Sequence, residues 1–287
     1  MVEIDSDVPD LDGVVLLHHF DGFMDAGAAG ATVVSHLLDV FEHRTVARFN
    51  VDSLVDYRAR RPTMVYDSDR WTEYNAPELV VRLAHDAAGT PFLLLTGPEP
   101  DRGWEAVTAA VLALVERWGV RLAVSAHGIP MAVPHTRELK VISHGTRPEL
   151  VTSQSPFGRV QVPGHLSALV EFRLGEARRD AVGFAACVPH YLAQSTYPTA
   201  ALALIAALTA ATGLDVPTDS LRESARQADA EIARQVSESD EVAHLVENLE
   251  QQYDAQQSLL ADGDRVPSAD ELGAEFERFL SEQPRDR

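Results

Sequence analysis

The sequence predicts an α/β fold, with a three-layer, mostly parallel sheet and a C-terminal helical appendage. Short apolar runs alternate with segments of helical spacing up to about Gly213. Several of these runs end in polar segments that contain glycine or proline, as strands of open α/β sheets do at the edge where ligands bind. From Val216 onward, narrow apolar stripes lie between charged residues, which indicates packed helices. We therefore expect a core domain over residues 1–215 and a helical hairpin and tail over residues 216–287.

Apolar runs and turn signals place the elements of the first half. We predict a strand at Gly13–Phe20, a helix at Asp25–Leu38, a strand at Thr45–Asn50, an extended segment at Thr63–Tyr66, and strands at Leu79–His85 and Pro91–Thr96. The last two strands flank a turn-rich gap of a length typical of a β-hairpin. A helix over Pro77–Ala88 is the competing interpretation, and we favour the hairpin because Gly89 and Pro91 leave no room for an ordinary helix-to-strand connection.

The second half continues the alternation. We predict a helix at Trp104–Trp118 capped by Asp101, strands at Val120–Val124 and Leu139–Ser143 joined by a long polar loop, an irregular segment at Ser153–Pro163, a helix at Gly164–Leu174, a strand at Ala181–Val188 and a helix at Pro198–Thr212. Two amphipathic helices should follow, capped by Thr218 and Ser239. We expect a last short helix over Ser268–Ser281 and disorder over Gln283–Arg287.

Composition narrows the class of protein. The net charge is −20 over 287 residues, and no cluster of basic residues is present that would meet nucleic-acid phosphates. The longest strongly apolar segment, Ala200–Ala211, is too short to span a bilayer, so we expect no membrane partner. A single cysteine, Cys187, and the absence of a signal-peptide pattern indicate the cytoplasm. Lys140 is the only lysine, and together with the many alanines it indicates a GC-rich, bacterial source.

Three segments that follow predicted strands carry the candidate site residues. The first contains Asp21, Gly22 and Asp25; the second contains Glu99, Asp101 and Trp104; the third contains His127, Gly128, His135, Thr136 and Arg137. Because the ends of parallel strands share one edge of a sheet, we expect Asp21, Glu99 and Arg137 to meet there. In a pocket at that edge, Arg137 would hold an anion, and Glu99 or His135 would transfer protons.

Each of these residues also has a structural interpretation. Asp25 and Asp101 are typical helix caps, and the polar groups of the third segment can form a hydrogen-bond network that fixes a long loop. His127, His135 and His190 match no zinc-binding spacing, so we expect no metal. The sequence has no phosphate-binding loop, dinucleotide fingerprint or serine-hydrolase elbow, and we expect no cofactor. Cys187 lies in an apolar strand and is expected to act as a small hydrophobe.

Several short motifs together resemble a known family. They are Phe49-Asn50-Val51-Asp52, Leu95–Asp101 with Trp104-Glu105, and His127-Gly128-Ile129-Pro130 with Pro134–Arg137. The chain resembles the bacterial branch of the proteasome assembly chaperone family (second-subunit type) from about Gly13 to Leu260. This resemblance implies a fold similar to purine nucleoside phosphorylases, homo-oligomers, and partners such as proteasome α-type subunits. It implies no established enzymatic activity for bacterial members.

One feature departs from that family. Assembly factors of this type can dock through a C-terminal tripeptide with a hydrophobic residue followed by tyrosine, whereas this sequence ends in Arg285-Asp286-Arg287. We therefore do not expect docking by that route. The leading hypothesis is a non-catalytic, assembly-chaperone-like protein that binds itself and proteasome-type subunits. The alternatives are a small-molecule enzyme or binding protein that takes nucleoside- or carboxylate-like ligands at the sheet edge, and a scaffold that uses its helical hairpin.

Overall fold

The computed structural model of the protein describes residues 2–22, 24–153 and 157–261. The predicted helix over Ser268–Ser281 and the segment Gln283–Arg287 lie outside these residues. The strands in the described part are β1 (Val2–Ile4), β2 (Val15–Asp21), β3 (His43–Phe49), β4 (Met64–Asp67), β5 (Arg70–Tyr74), β6 (Val80–His85), β7 (Pro91–Pro98), β8 (Leu122–Met131), β9 (Val141–Gly145) and β10 (Ala181–Pro189). The α-helices are α1 (Ala29–Val40), α2 (Trp104–Arg117), α3 (Leu166–Glu176), α4 (Pro198–Thr212), α5 (Asp219–Ser237) and α6 (Asp240–Ala261).

Eight strands form one mixed sheet in the order β1-β3-β6-β7-β2-β8-β10-β9. The four central strands, β7, β2, β8 and β10, are parallel to one another. The pairs β6–β7, β3–β6, β1–β3 and β9–β10 are antiparallel, so β3 runs in the same direction as the central strands. The predicted α/β class and mostly parallel sheet are confirmed. The likeness to purine nucleoside phosphorylases stays a prediction.

Helices cover both faces of the sheet. Alternate residues of β2 point to opposite faces, so Leu16 packs with α2 and α3 in one apolar cluster, while Val15 and Leu17 pack with α1 and α4 in another. Helix α5 lies over α4 and adds Leu221 to the second cluster. The result is the expected three-layer arrangement, with its loops at the two ends of the strands.

The predicted hairpin is confirmed, and the competing helix over Pro77–Ala88 is wrong. Strands β6 and β7 pair antiparallel from Val80↔Thr96 to His85↔Pro91. The Asp86 carboxylate accepts hydrogen bonds from the backbone N–H groups of Ala88 and Thr90, which closes the turn. A third hydrogen bond, from the N–H of Asp215, ties this turn to the segment after α4.

The sequence analysis predicted that the strand before His127 ends at Val124, and this prediction was wrong. Strand β8 does not stop at Val124 but continues to Met131, because β10 pairs with it from Ala181↔Ala123 to Pro189↔Met131. His127 and Gly128 therefore lie in a strand and not in a loop. The edge strand β1 and the β4–β5 hairpin were also missed by the sequence analysis, which predicted only an extended segment at Thr63–Tyr66.

Helix termini agree with the sequence where capping signals are strong. Helix α4 begins at Pro198 and ends before Gly213, which has a positive φ of 75°. The Ser239 hydroxyl accepts a hydrogen bond from the N–H of Val242 at the start of α6. The expected cap by Asp101 was wrong, because Gly103 is the residue before α2 and Asp101 binds elsewhere.

Candidate functional site

The Asp25 carboxylate caps the N-terminus of α1. Its Oδ1 accepts a hydrogen bond from the N–H of Gly30 at 2.8 Å, and its Oδ2 accepts one from Ala31 at 2.9 Å. Oδ1 also accepts a hydrogen bond from the N–H of Gly128 in β8 at 2.8 Å. The carboxylate therefore occupies the place where the free N–H groups of a helix would attract an external anion.

The turn around Asp25 is tightly packed. A β-carbon on Gly128 would lie 2.0 Å from the carbonyl oxygen of Ala26, so only glycine fits at this point of β8. Gly27 and Ala28 both have positive φ angles, 68° and 47°. The left-handed conformation costs alanine about 1–2 kcal/mol. The three hydrogen bonds to Asp25 hold the chain in this strained turn.

His19 lies between two carboxylates at the end of β2. Its Nε2 is 3.5 Å from Oδ1 of Asp21 and 3.9 Å from Oδ2 of Asp25, while Nδ1 donates to the carbonyl oxygen of Ala126 at 3.2 Å. Burial lowers the pKa of His19, but the hydrogen bond to Asp21 and the charge of Asp25 outweigh burial and raise it above its ordinary value. This imidazole was not among the residues singled out from the sequence.

Glu99 joins β7 to α3. Its N–H donates to the carbonyl oxygen of Asp21 at 2.7 Å, which continues the pairing of β2 with β7. Its Oε1 accepts a hydrogen bond from the N–H of Leu166, the first residue of α3, at 2.6 Å. Glu99 thus caps a helix that is distant in sequence. The close approach of Gly22, whose added β-carbon would lie 3.5 Å from Cβ of Glu99, completes this contact.

Asp101 and Arg60 form the next part of the network. Oδ2 of Asp101 accepts a hydrogen bond from the N–H of Asp56 at 2.6 Å, and its Oδ1 lies 2.7 Å from Nη2 of Arg60. These two contacts, the first being the larger, lower the pKa of Asp101. Arg60 also donates to the carbonyl oxygen of Glu99. Trp104 donates from Nε1 to the carbonyl oxygen of Pro100 at 2.6 Å, which fixes the loop before α2.

Several imidazoles lie next to this network. The rings of His127 and His165 make an edge-to-face contact at 5.6 Å, and Nδ1 of His144 is 2.9 Å from Glu171. Burial, followed by repulsion from His165 and His144, lowers the pKa of His127 to about 4. Burial, followed by repulsion from His19 and His165, lowers the pKa of His18 to about 3. At neutral pH, His18 and His127 are therefore uncharged.

The last three candidate residues make a separate set of contacts. The hydroxyl of Tyr191 is hydrogen-bonded to His135 twice, to the backbone N–H at 2.9 Å and to Nδ1 of the ring at 2.7 Å. The Arg137 guanidinium donates to both carboxylate oxygens of Asp254, at 2.9 Å from Nε and 2.7 Å from Nη2, and to Glu250 at 3.2 Å. Thr136 also donates to Glu250. Helix α6 therefore supplies the carboxylates that Arg137 contacts.

The structure brings part of the predicted site together. Asp21, Gly22, Asp25, Glu99, Asp101 and Gly128 belong to one network of contacts at the carboxyl edge of the central strands, next to His127. In the described residues, the contacts of Arg137 run to α6 and to Thr136, and none joins it to Asp21 or Glu99. The expected meeting of Asp21, Glu99 and Arg137 does not occur.

This arrangement limits the chemistry that the network can perform. Neutral imidazoles beside carboxylates can exchange protons, but Asp25, Glu99 and Asp101 each accept hydrogen bonds from backbone N–H groups. Across the described ranges, no group of three or more His, Cys, Asp or Glu side chains is placed to hold a metal ion.

None of the described helices is long and apolar enough to cross a membrane.

Comparisons with solved structures find close relatives. The chain is similar to the Mycobacterium tuberculosis protein of unknown function Rv2714, with 41% identity, a TM-score of 0.87 and coverage of 91% of each chain. It is similar to a Corynebacterium glutamicum protein of unknown function, with 35% identity, a TM-score of 0.85 and coverage of 90% of this chain and 98% of the other. It also shares its fold with the M. tuberculosis proteasome-assembly chaperone homologue Rv2125, with 24% identity, a TM-score of 0.74 and coverage of 81% and 100%.

The family comparison covers most of the chain. A search of curated proteins gives no significant match. The model of the PAC2 family matches residues 19–236, which include the end of β2, strands β3 to β10, helices α1 to α4 and nearly all of α5. This match extends over more than half of the sequence and agrees with the shared fold of the relatives. The chain belongs to the PAC2 family.

Proposed function

We propose that the protein is a non-catalytic, assembly-chaperone-like factor that binds proteasome α-type subunits. The observation that carries the proposal is the structural use of the candidate catalytic groups. Asp25 caps α1, Glu99 caps α3, Asp101 holds the loop at Asp56, and Arg137 is paired with α6. Membership of the PAC2 family, and the shared fold with a proteasome-assembly chaperone homologue, support this function.

The electrostatics of the network support the same conclusion. A general acid or base works best when its pKa lies near the operating pH. Burial holds the pKa of His127 at about 4 and that of His18 at about 3, far from neutrality. His18 and His127 are therefore poorly matched to proton transfer at neutral pH, while His19, whose pKa is raised, is held between the carboxylates of Asp21 and Asp25.

The proposal includes the setting in which the factor works. We infer that it acts in the cytoplasm, where proteasome subunits are assembled, and that it associates with itself. A net charge of −20 keeps the free protein soluble, while self-association requires a local surface that overcomes the repulsion between copies.

Binding to purified proteasome α-type subunits of the source organism tests the proposal. We expect the protein and an α-type subunit to migrate as one complex in sedimentation velocity, with β-type subunits as the matched control that forms none. Equal binding to both types, or to neither, contradicts the proposal. A melting-temperature increase with nucleosides, phosphate or small carboxylates would instead favour a small-molecule site.

A further inference from the structure

Three histidines meet at the N-terminus of α3: His127 from β8, His144 from β9 and His165, the residue before the helix. They are called the histidine cluster below. The rings of His127 and His165 make an edge-to-face contact at 5.6 Å. A β-carbon on Gly183 of β10 would lie 2.1 Å from the ring of His144, so the missing side chain of Gly183 lets this imidazole lie against the sheet. The fold therefore holds all three rings close to the start of one helix.

His165 takes part in the first turn of α3. Its Nδ1 accepts a hydrogen bond from the N–H of Ala168 at 3.4 Å, and its carbonyl oxygen accepts one from Leu169 at 3.1 Å. The N–H of Leu166 donates to Glu99 in the same turn. A protonated Nδ1 cannot accept a hydrogen bond, and a positive charge at a helix N-terminus is unfavourable because of the helix dipole. This arrangement of the first turn therefore requires a neutral His165.

The charged and titratable groups around the cluster are unevenly distributed. By element, they are His18 and His19 in β2, Asp25 before α1, Glu99 after β7 with its partner Arg60, Glu105 of α2 with its partner Arg173 of α3, Cys187 in β10 and Glu171 on α3. Asp25 and Glu99 accept hydrogen bonds from backbone N–H groups. Among the described residues, Glu171 is the carboxylate at ion-pair distance from the cluster, 2.9 Å from Nδ1 of His144.

The pKa values of the three rings shift in different directions. Burial, and then repulsion by His165 and His144, lowers the pKa of His127 to about 4. Burial, and then repulsion by His144, lowers the pKa of His165. Burial also opposes the charged form of His144, but the hydrogen bond and the charge of Glu171 outweigh burial and raise its pKa. Acid therefore acts against the contact of His127 with His165 and strengthens the His144–Glu171 pair.

We propose that the histidine cluster is a pH-sensitive switch, which holds the first turn of α3 on the sheet at neutral pH and releases it in mild acid. On release, His127 and His165 each take up a proton from solvent and separate, and the N–H groups in residues 166–169 lose their acceptors. The His144–Glu171 pair keeps the rest of α3 in place, so the release is confined to the first turn. This inference goes beyond the proposed function and does not depend on the identity of a protein partner.

The direction of the pH dependence follows from His127. Its pKa is about 4 in the folded protein and 6.5 when the ring is fully hydrated, so the released form binds more protons below pH 6.5. The equilibrium constant for release therefore rises by about twentyfold between pH 7 and pH 5 through His127 alone. His165, whose pKa is also lowered, adds to this increase.

Amide hydrogen exchange of the full chain, measured by NMR at pH 7, 6 and 5, tests the switch. Dividing the intrinsic rate at each pH by the measured rate gives the protection factor of each amide. We expect the protection factors of Leu166, Ala168 and Leu169 to fall at least about tenfold from pH 7 to pH 5, and that of Leu174 in the last turn to change less than about twofold. An equal fall at Leu174 would indicate general unfolding and overturns the proposal, as does an unchanged first turn.

The double variant His127→Gln/His165→Asn tests the assignment to the cluster, because it removes two titratable rings and keeps a side chain that caps helices well. Its first turn should keep its protection within about twofold from pH 7 to pH 5. The matched control is His85→Gln, since His85 is exposed on β6, and it should show the wild-type fall. The single variant His165→Asn should show a smaller fall than the wild type, which provides the same test if the double variant does not fold. A wild-type fall in these cluster variants overturns the assignment.

Discussion

At the residue scale, short acidic side chains in this protein act mainly as acceptors for the backbone. Asp25 accepts from Gly30, Ala31 and Gly128, and Asp86 accepts from the N–H groups of two turn residues and of Asp215. A carboxylate has several lone pairs and can satisfy two or three N–H groups at once. Residues that resemble catalytic candidates in sequence are therefore the residues that join strand ends to helices.

His18, in contrast to these carboxylates, is a buried polar side chain with few stabilising contacts. Its side chain is fully buried in β2 beside Phe20, and within the described residues its Nδ1 has no hydrogen-bond partner. An unsatisfied buried polar atom costs about 1–3 kcal/mol. The charged form is strongly disfavoured by burial and by the imidazoles of His19 and His165, so the folded protein contains a neutral His18.

We predict that His18→Leu makes the protein less sensitive to acid. The folded pKa of His18, about 3, is below its unfolded value of 6.5, so the unfolded chain binds more protons as the pH falls below 6.5. Between about pH 6 and pH 5, the wild type should lose up to about 1.4 kcal/mol of unfolding free energy per pH unit through this residue. Urea unfolding at pH 5, 6 and 7 measures this slope.

The matched control for this prediction is His85→Gln, because His85 is an exposed histidine at the end of β6. Its slope should equal that of the wild type. We also expect the unfolding free energy of His18→Leu, relative to that of the wild type, to increase from pH 7 to pH 5. An unchanged slope in His18→Leu would mean that His18 is protonated in the folded protein.

At the element scale, the elements that the sequence predicts well are those with local signals. Helix α4 has proline at its first turn and glycine after its end, and the β6–β7 turn has Asp86 at its start. Strand β8 was predicted too short, because its last seven residues are held by β10, which lies about sixty residues further along the chain. The β4–β5 hairpin was missed because both of its faces are exposed and it lacks the alternation of a half-buried strand.

The candidate site residues, like the elements, were predicted from the sequence where their signals are local. Asp21, Asp25 and Glu99 follow directly after strands or precede a helix, and the sequence identified all three. Arg60 was missed because its contacts with Glu99 and Asp101 come from a segment that is distant in sequence. Arg137 was identified, but its partners belong to α6, more than a hundred residues away, so no local pattern could assign them.

We predict that Arg137→Gln loosens α6. This side chain makes the charged contacts to Glu250 and Asp254, and Tyr253 adds a hydrogen bond to the carbonyl oxygen of Glu138. Ion pairs at the protein surface are weak individually, so backbone amides of α6 should exchange with solvent up to about fivefold faster. Hydrogen exchange with mass spectrometry measures this rate.

The control is Arg234→Gln on α5, which removes an arginine that pairs with Glu231 and Glu238 of its own helix region. This control should leave the exchange of α6 at the wild-type rate. Equal effects of the two substitutions would mean that Arg137 contributes only a general charge effect and does not hold α6 in place.

At the scale of the whole molecule, the C-terminal helices differ in how deeply they join the core. Leu221 of α5 belongs to the apolar cluster formed by α1, α4 and the sheet, and Thr199 of α4 donates to Asp229 of α5. The buried residues Val246 and Leu249 of α6 belong to neither of the two main clusters. The division at residue 215, predicted from sequence, thus falls before a helix that shares the core.

Truncation tests that division. A chain that ends after Ser237 keeps both main clusters, and we expect it to fold and to lose about 2 kcal/mol of unfolding free energy through the loss of α6. A chain that ends after Asp215 also exposes the surface that Leu221 covers, and we expect a further loss of about 3–5 kcal/mol. Urea unfolding of both chains beside the full chain measures these differences. Equal stability of the chain ending at Asp215 and the full chain would show that residues 216–287 are an independent appendage, because the core would then gain nothing from α5.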